Sequence, residues 1–227
     1  MGATTSKAAR AAKRRVMVTA GLMLAVAGAS AIAAPVVQRV GASRASVEQR
    51  IVPAELLPAM TEQLVWRGAD IDGDGEPDFA NPTGNDTRKA DAYGHGEYGA
   101  RRDGGARRHE GVDFVADPGQ PVVAPISGYV SKIGFAYADD SNLKFIEISN
   151  PALRYTARVF YVDPEVEVGQ AVRVGQTIGS QHSLERKYPG GMTDHVHLEI
   201  MNTRGARIDP TRVITASYEL APAPSRG

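Results

Sequence analysis

Between residues 112 and 200 the chain never sustains an apolar period longer than a short strand. Runs at 112–115, 121–125, 128–133, 144–148, 155–162 and 166–178 are rich in Val, Ile, Phe and Tyr, and Gly, Pro, Asp and Asn separate them. β-Branched and aromatic runs punctuated in this way predict strands joined by tight turns. No stretch beyond residue 70 holds the 3.6-residue period of a long amphipathic helix. The fold class is therefore all-β, with a mostly antiparallel sheet core. A chain of 227 residues has room for one such domain with appendages.

Another strand is written in Asp194-His195-Val196-His197-Leu198-Glu199-Ile200. Residues two apart on a strand share a face, so His195, His197 and Glu199 stand in a row above Val196, Leu198 and Ile200. Two imidazoles on a rigid strand suit a metal site, one as ligand and the other left to handle protons. Upstream, Arg108-His109-Glu110-Gly111-Val112-Asp113 offers a nitrogen and an oxygen donor close together. With His197 these make a two-histidine, one-carboxylate set, which leaves a fourth tetrahedral position open. An open position marks a catalytic rather than a structural zinc, set here in a groove. The chain has no cysteine, so any zinc must be held by His, Asp or Glu.

Charge excludes one partner class. Twenty-six basic and 26 acidic residues give a formal net charge of zero, and nothing points to nucleic acid. At the N-terminus Lys7, Arg10, Lys13, Arg14 and Arg15 precede an uncharged run at 16–37. A basic flank, an apolar core and Ala31-Ile32-Ala33 fit a secretory signal cleaved after Ala33. The run is also long enough to form a hydrophobic helix that anchors the chain in a membrane, basic side inside. Residues 1–37 are thus expected to direct export to the periplasm or cell envelope.

Residues 38–68 are expected to be a helical linker. Ser46-Val47-Glu48-Gln49 fits a capping box, and Pro58 fits the start of a helix over 58–67 that turns Met60, Leu64 and Trp66 to something apolar. Within 69–92, Asp70, Asp72, Asp74 and Asp78 stand at positions one, three, five and nine of a loop with Gly75 at six, as in a calcium loop. Asn81 replaces the bidentate Glu at position twelve and Pro77 the apolar residue at eight, so an acidic turn without calcium is the alternative. Residues 79–108 read as a loop that walls a site. In it His95 is a candidate substrate contact, and Arg101, Arg102, Arg107 and Arg108 make a basic mouth for a carboxylate-bearing substrate. Residues 214–227 are expected to be a flexible tail.

Four elements combine over residues 93–213: His-x-x-x-Asp at His109 and Asp113, Val122-Val123-Ala124-Pro125-x-x-Gly128, Val168-Gly169-x-x-Val172-x-x-Gly175-Gln176-x-Ile178-Gly179, and His195-x-His197. Together they resemble the lysostaphin/LytM-type zinc metallopeptidases, which cut bacterial peptidoglycan peptides. Gly96-Glu97-Tyr98-Gly99-Ala100-Arg101-Arg102, Val159-Phe160-Tyr161-Val162 and Tyr188-Pro189-Gly190 are similar to the leukocyte cell-derived chemotaxin branch of that group. The resemblance implies one zinc on His109, Asp113 and His197, with His195 as a catalytic histidine. Active members carry a further histidine where this chain has Tyr161. The chemotaxin branch shares that change and is regarded as zinc-binding.

The function expected is an exported zinc metalloendopeptidase acting on cell-wall peptides. His195 would move protons, while Tyr161, with a phenol pKa near 10, would serve as a hydrogen-bond donor rather than a base. Glu199 would orient His197 from behind or serve as a cross-strand charge partner. His182 is a remote source of the missing imidazole, and Glu110 would point away. A zinc module that binds cell-wall peptides or regulates another hydrolase is the alternative. A biotinyl- or lipoyl-carrier domain competes through residues 122–130 and 168–179, but Lys132 and Lys144 lack the setting of a modified lysine.

Overall fold

The computed structural model describes residues 59–223, all within one compact unit, Val52–Gly227. The export segment at 1–37 and the capping box at 46–49 lie outside the described residues. Fourteen strands follow in order. They are β1 Met60–Gly68, β2 Arg101–Arg102, β3 Arg107–Arg108, β4 Val112–Val115, β5 Pro121–Val123, β6 Gly128–Tyr137 and β7 Asp140–Asn150. The rest are β8 Tyr155–Phe160, β9 Val162–Pro164, β10 Ala171–Val172, β11 Thr177–Gln181, β12 His195–Met201, β13 Arg207–Ile208 and β14 Ile214–Pro222. Among the described residues the only helical pieces are two short 3-10 turns, Asp103–Gly105 and Pro210–Arg212. The all-β expectation holds for them, and the strand pairings are antiparallel.

The main sheet runs β10-β6-β7-β8-β12-β13, with β4 also paired to β12, and a smaller sheet runs β5-β11-β9. β12 sits deep in the main sheet because both of its faces are covered. Val196, Leu198 and Ile200 are fully buried in a core with Phe114, Ile126, Ile146, Ile148 and Val159. Burial of such side chains stabilises by about 1.5–3 kcal/mol each, so the register of β12 is strongly fixed. A slip of one residue would carry this apolar row to the other face and the imidazoles into the core.

The pairings of β12 place what lies above that core. His197 stands opposite Asp113 of β4 on one side and Phe160 of β8 on the other. Glu147, Arg158 and Glu199 also fall opposite one another across β7, β8 and β12. Their side chains form a charge row: Arg158 Nε reaches Glu147 at 2.7 Å and Arg158 Nη1 lies 3.8 Å from Glu199.

Three expectations about elements are corrected. Residues 60–68 are a strand, not a helix, and 214–222 are its partner, not a tail. Met60, Leu64 and Trp66 do share one face, but by a period of two. They stand opposite Pro222, Tyr218 and Ala216, and Trp66 packs edge-on against Phe114 at 5.3 Å. A partner some 150 residues away decides the conformation here, and local propensity is overridden. The strand expected to run through Val162 breaks at Tyr161, whose φ is +67°. For a non-glycine residue the left-handed region costs roughly 1–2 kcal/mol. Here two backbone bonds hold it. The Tyr161 N–H donates to the Lys144 carbonyl at 2.7 Å, and its carbonyl accepts from the His182 N–H at 2.8 Å.

Candidate metal centre

Three donor atoms converge where β4 meets β12. His197 Nδ1 is 2.8 Å from Asp113 Oδ1, His109 Nε2 is 3.1 Å from the same oxygen, and the two nitrogens are 2.9 Å apart. Donors on a tetrahedral zinc are about 3.3 Å apart, given bonds of about 2.0–2.1 Å. The spacing fits, and so does the chemistry. The second ring nitrogen of His109, Nδ1, faces the Glu97 carbonyl at 2.8 Å, so it carries the proton and Nε2 presents a lone pair. His197 Nε2 lies 3.7 Å from Glu199 Oε1, and its Nδ1 is within hydrogen-bond distance of Asp113 Oδ1. Two ring nitrogens and a carboxylate oxygen drawn to one point form a group suited to a metal ion, or to a shared proton in its place.

Close backbone approach makes this possible. A Cβ at Gly111 would lie 2.2 Å from the Leu198 carbonyl oxygen and 2.7 Å from His197 Cε1. Any side chain there would displace the ligand strand. The loop expected to wall the site does so: it supplies the Glu97 carbonyl to His109, and the His109 N–H donates to Ala100 at 2.8 Å.

Charge around the donors is set by burial and by these contacts. Burial alone would raise the Asp113 pKa. Hydrogen bonds with His109 and His197 and the nearby imidazoles overcome it and hold the carboxyl well below the usual carboxylate range. For His197 burial works downward, but Asp113 and Glu199 prevail and push it up to about 9. The site thus attracts a cation strongly enough to keep a proton when no metal takes its place. His195 differs. Its Nδ1 donates to the Thr193 carbonyl at 2.7 Å and its Nε2 lies 3.6 Å from Asp113 Oδ1, while burial holds it below the ordinary imidazole value. It is a neutral imidazole with an unprotonated nitrogen at the edge of the donor set.

Tyr161 meets His195 edge to face, with ring centroids 5.3 Å apart. Its hydroxyl ends a chain: Tyr188 donates to Tyr137 at 2.7 Å, and Tyr137 and Tyr161 are 2.8 Å apart. Either hydroxyl of the Tyr137–Tyr161 pair can donate; where Tyr137 does, the Tyr161 proton is left to donate into the groove. Burial pushes the Tyr161 phenol well above its usual range, which keeps it a donor. The groove, about 360 Å³, is lined by these tyrosines, the donor set, Arg102, Arg107 and Arg108.

The expected substrate contacts divide. Arg102 lines the groove, donates to the His95 carbonyl at 2.7 Å and lies 3.8 Å from Asp113. Arg101 and the exposed His95 side chain are not among the lining residues. Glu110 lines the groove instead of pointing away, 3.3 Å from Arg207. His182 is tied to Asp163 at 3.0 Å outside the lining, so it lends no imidazole. Glu199 stands 3.7 Å from His197 Nε2 and 3.1 Å from Arg207 Nε.

In the acidic loop Asp70, Asp72 and Asp78 come together. Asp74 is turned to the Glu76 N–H at 2.8 Å, and Asn81 organises the next turn by accepting from the Thr83 N–H at 2.9 Å. Sequence reasoning missed Arg88, whose Nε and Nη2 grip Asp113 Oδ2 at 3.1 and 2.8 Å, and Asp91, which holds Arg88 Nη1 at 2.6 Å. It also left Tyr93, Tyr137 and Tyr188 without roles. Only Tyr188-Pro189-Gly190, quoted for its resemblance, gave a hint.

Known proteins bear on the same residues. The chain is 30% identical over 125 residues to leukocyte cell-derived chemotaxin-2 of Mus musculus, covering 53% of this chain and 76% of that protein. It is 31% identical over 133 residues to myeloid protein 1 of Gallus gallus, covering 58% and 38%. A solved structure of the antimicrobial peptidase lysostaphin from Staphylococcus simulans aligns with a TM-score of 0.44 at 23% identity, covering 60% of this chain and 52% of that one. Residues 107–210, which include all three donors, His195 and Tyr161, match the family described as peptidase family M23. With these donors in place and that extent of likeness, the chain belongs to peptidase family M23.

Proposed function

We propose that this chain is an exported zinc metalloendopeptidase that hydrolyses peptide bonds in the cross-links or stem peptides of bacterial cell-wall peptidoglycan. The supporting observation is the convergence of His109, Asp113 and His197 beside the neutral, buried imidazole of His195, in a chain of peptidase family M23. Zinc held by His109, Asp113 and His197 supplies a Lewis acid toward water and the scissile carbonyl at neutral pH. His195, its Nδ1–H committed to Thr193, offers Nε2 to take a proton from the attacking water and return it to the leaving amine. Tyr161, whose phenol stays protonated at the end of the tyrosine chain, donates to the developing oxyanion. Arg102 and Arg108 in the groove lining suit a peptide that carries a free carboxylate.

Incubating the purified protein with sacculi and cross-linked stem peptides, with zinc and after chelation, tests this. Zinc-dependent release of peptides, lowered by His195→Ala, is expected. No metal-dependent cleavage of any cell-wall peptide overturns the enzymatic reading.

Tyr161 favours a second reading, a zinc module that binds cell-wall peptides or regulates another hydrolase. It stands where the family resemblance calls for a histidine, and burial keeps its phenol from acting as a base. Inactive wild type with an active Tyr161→His variant would replace the first reading with this one.

Export rests on residues 1–37, as a cleaved signal or as a membrane anchor at 16–37, and a reporter fused after residue 60 tests it. Activity of the reporter in the cytoplasm alone rules export out. Calcium at Asp70, Asp72 and Asp78 is the remaining cofactor proposal, and a thermal melt with and without calcium tests it.

A further inference from the structure

We propose that Arg88, anchored by Asp91, is a positioning residue that fixes the metal ligand Asp113 and the imidazole of His195 through one buried hydrogen-bonded unit. The inference rests on the metal reading above and deepens it. Arg88 is 2% exposed and lies outside the 107–210 family match. Its guanidinium forks onto Asp113 Oδ2 at 3.1 and 2.8 Å, which leaves Oδ1 alone to face the two histidine nitrogens. Its other nitrogen, Nη1, spans Asp91 Oδ2 at 2.6 Å and the Gly94 carbonyl at 3.0 Å. Asp91 Oδ2 also accepts from the Thr193 N–H at 3.0 Å, and the Thr193 carbonyl accepts from His195 Nδ1–H at 2.7 Å. One continuous path therefore runs from the ligand carboxylate to the proton-handling imidazole.

Backbone contacts brace the same unit. The Arg88 N–H donates to the Asp113 carbonyl at 2.7 Å, and the Asp113 N–H donates to the Gly96 carbonyl at 2.9 Å. A Cβ at Gly96 would lie 2.6 Å from the Arg88 carbonyl oxygen and 3.0 Å from Asp113 Cβ, so this crossing also needs glycine. A buried ion pair by itself is weak evidence of a stabilising role, since apolar residues of similar size often serve as well. What apolar residues cannot do is saturate one carboxylate oxygen while leaving the other presented. A lysine is a single point charge and cannot reproduce the fork together with the Asp91 contact. Groups that orient a metal ligand from behind typically change metal affinity about 10- to 100-fold.

The test titrates cobalt(II), a visible probe of ligand geometry, into the full chain and its Arg88→Lys and Asp91→Asn variants, with circular dichroism to check folding. Nitrogen-15 NMR of the histidine rings in the zinc-titrated proteins reports the tautomer of His195. Both variants are expected to bind cobalt about 10- to 100-fold more weakly, with an altered visible spectrum, and His195 should lose its uniform Nδ1–H tautomer. A general loss of stability would leave the spectrum and tautomer of the folded fraction unchanged. Should Arg88→Lys fail to fold, Asp91→Asn decides, because it keeps the side-chain volume and an oxygen for the Thr193 N–H. Wild-type affinity, spectrum and tautomer in a folded variant overturn the positioning role while the metal reading stands. A wild-type chain that takes up no cobalt and no zinc overturns the metal reading itself, and this role with it.

Discussion

Tyr161→Phe removes one hydroxyl from the end of the tyrosine chain and changes little else in volume. In the folded protein it deletes the single hydrogen bond between the Tyr161 and Tyr137 hydroxyls, at 2.8 Å, while the Tyr188 contact to Tyr137 persists. The stability cost should therefore be about 1 kcal/mol. The edge-to-face packing of the ring on His195 is kept, and none of the three donors is touched. If the hydroxyl donates to the oxyanion, turnover should fall about a hundred- to thousandfold, or about 3–4 kcal/mol in the barrier. The loss should fall on kcat with KM unchanged, because the contact strengthens only in the transition state. Zinc content should equal that of wild type. Tyr137→Phe provides the scale: it removes the bond to Tyr161 and the acceptor of the Tyr188 hydroxyl but leaves the Tyr161 hydroxyl in place, so a smaller loss of about fivefold is expected. Steady-state kinetics on one cross-linked stem peptide, with metal analysis and thermal melts of the same preparations, measure all of this. A Tyr161→Phe enzyme with wild-type kcat refutes the oxyanion role.

His109→Ala and His197→Ala should each retain little zinc after dialysis, and equal zinc in both variants and wild type would refute the ligand assignment. The His197 pKa, raised to about 9 from an ordinary 6.5, gives opposite pH slopes in two measurements. Its proton stabilises the metal-free fold fully below about 6.5, and that contribution is lost as pH rises through about 9, so the metal-free melting temperature should fall over this window. Zinc must displace the same proton, so zinc affinity should rise about tenfold per pH unit over the same window, readable by competition with a coloured chelator. Trp66→Ala should cost about 2 kcal/mol, less than a fully buried aromatic because Trp66 is only partly covered, with zinc content unchanged.

What was legible in the sequence is what local period or close spacing encodes. The β12 row could be read because Val196, Leu198 and Ile200 alternate with polar residues, and that alternation fixes which face the imidazoles take. His109 and Asp113 could be read because they lie four residues apart with Gly111 between them. The clamp could not. Arg88 sits in an irregular segment 25 residues before Asp113, and nothing in its neighbours distinguishes it from the solvated arginines at 101, 107 and 108. Tyr137, Tyr161 and Tyr188 come from three segments that meet only once the sheet has formed. Helix is the reading of 58–67 because Pro58 suits a helix start and Met60 and Leu64, four apart, share a helical face as well as a strand face; Trp66 fits only the strand, and the partner β14 decides. His95 and His182 show the converse. An imidazole near the right residues in sequence says nothing about where its ring points.

The two walls of the centre are held in different ways, and this determines how the site should fail. His195, His197 and Glu199 stand on a strand whose other face is fully buried core, so their positions are as secure as the fold itself. His109 stands on the loop side, where regular strand pairing is limited to the two residue pairs of β2 with β3. Its placement depends on single contacts: the Glu97 carbonyl, the Ala100 carbonyl, and the Arg88–Asp91 unit that ties the neighbouring loop to Asp113. Opening a loop needs far less free energy than opening core strands. Loss of a contact at 88–100 should therefore scatter His109 and one oxygen of Asp113 while β12 stays in register. The candidate metal centre is thus more fragile than the sheet beneath it, and its weak side lies in residues 88–100, before the family match begins.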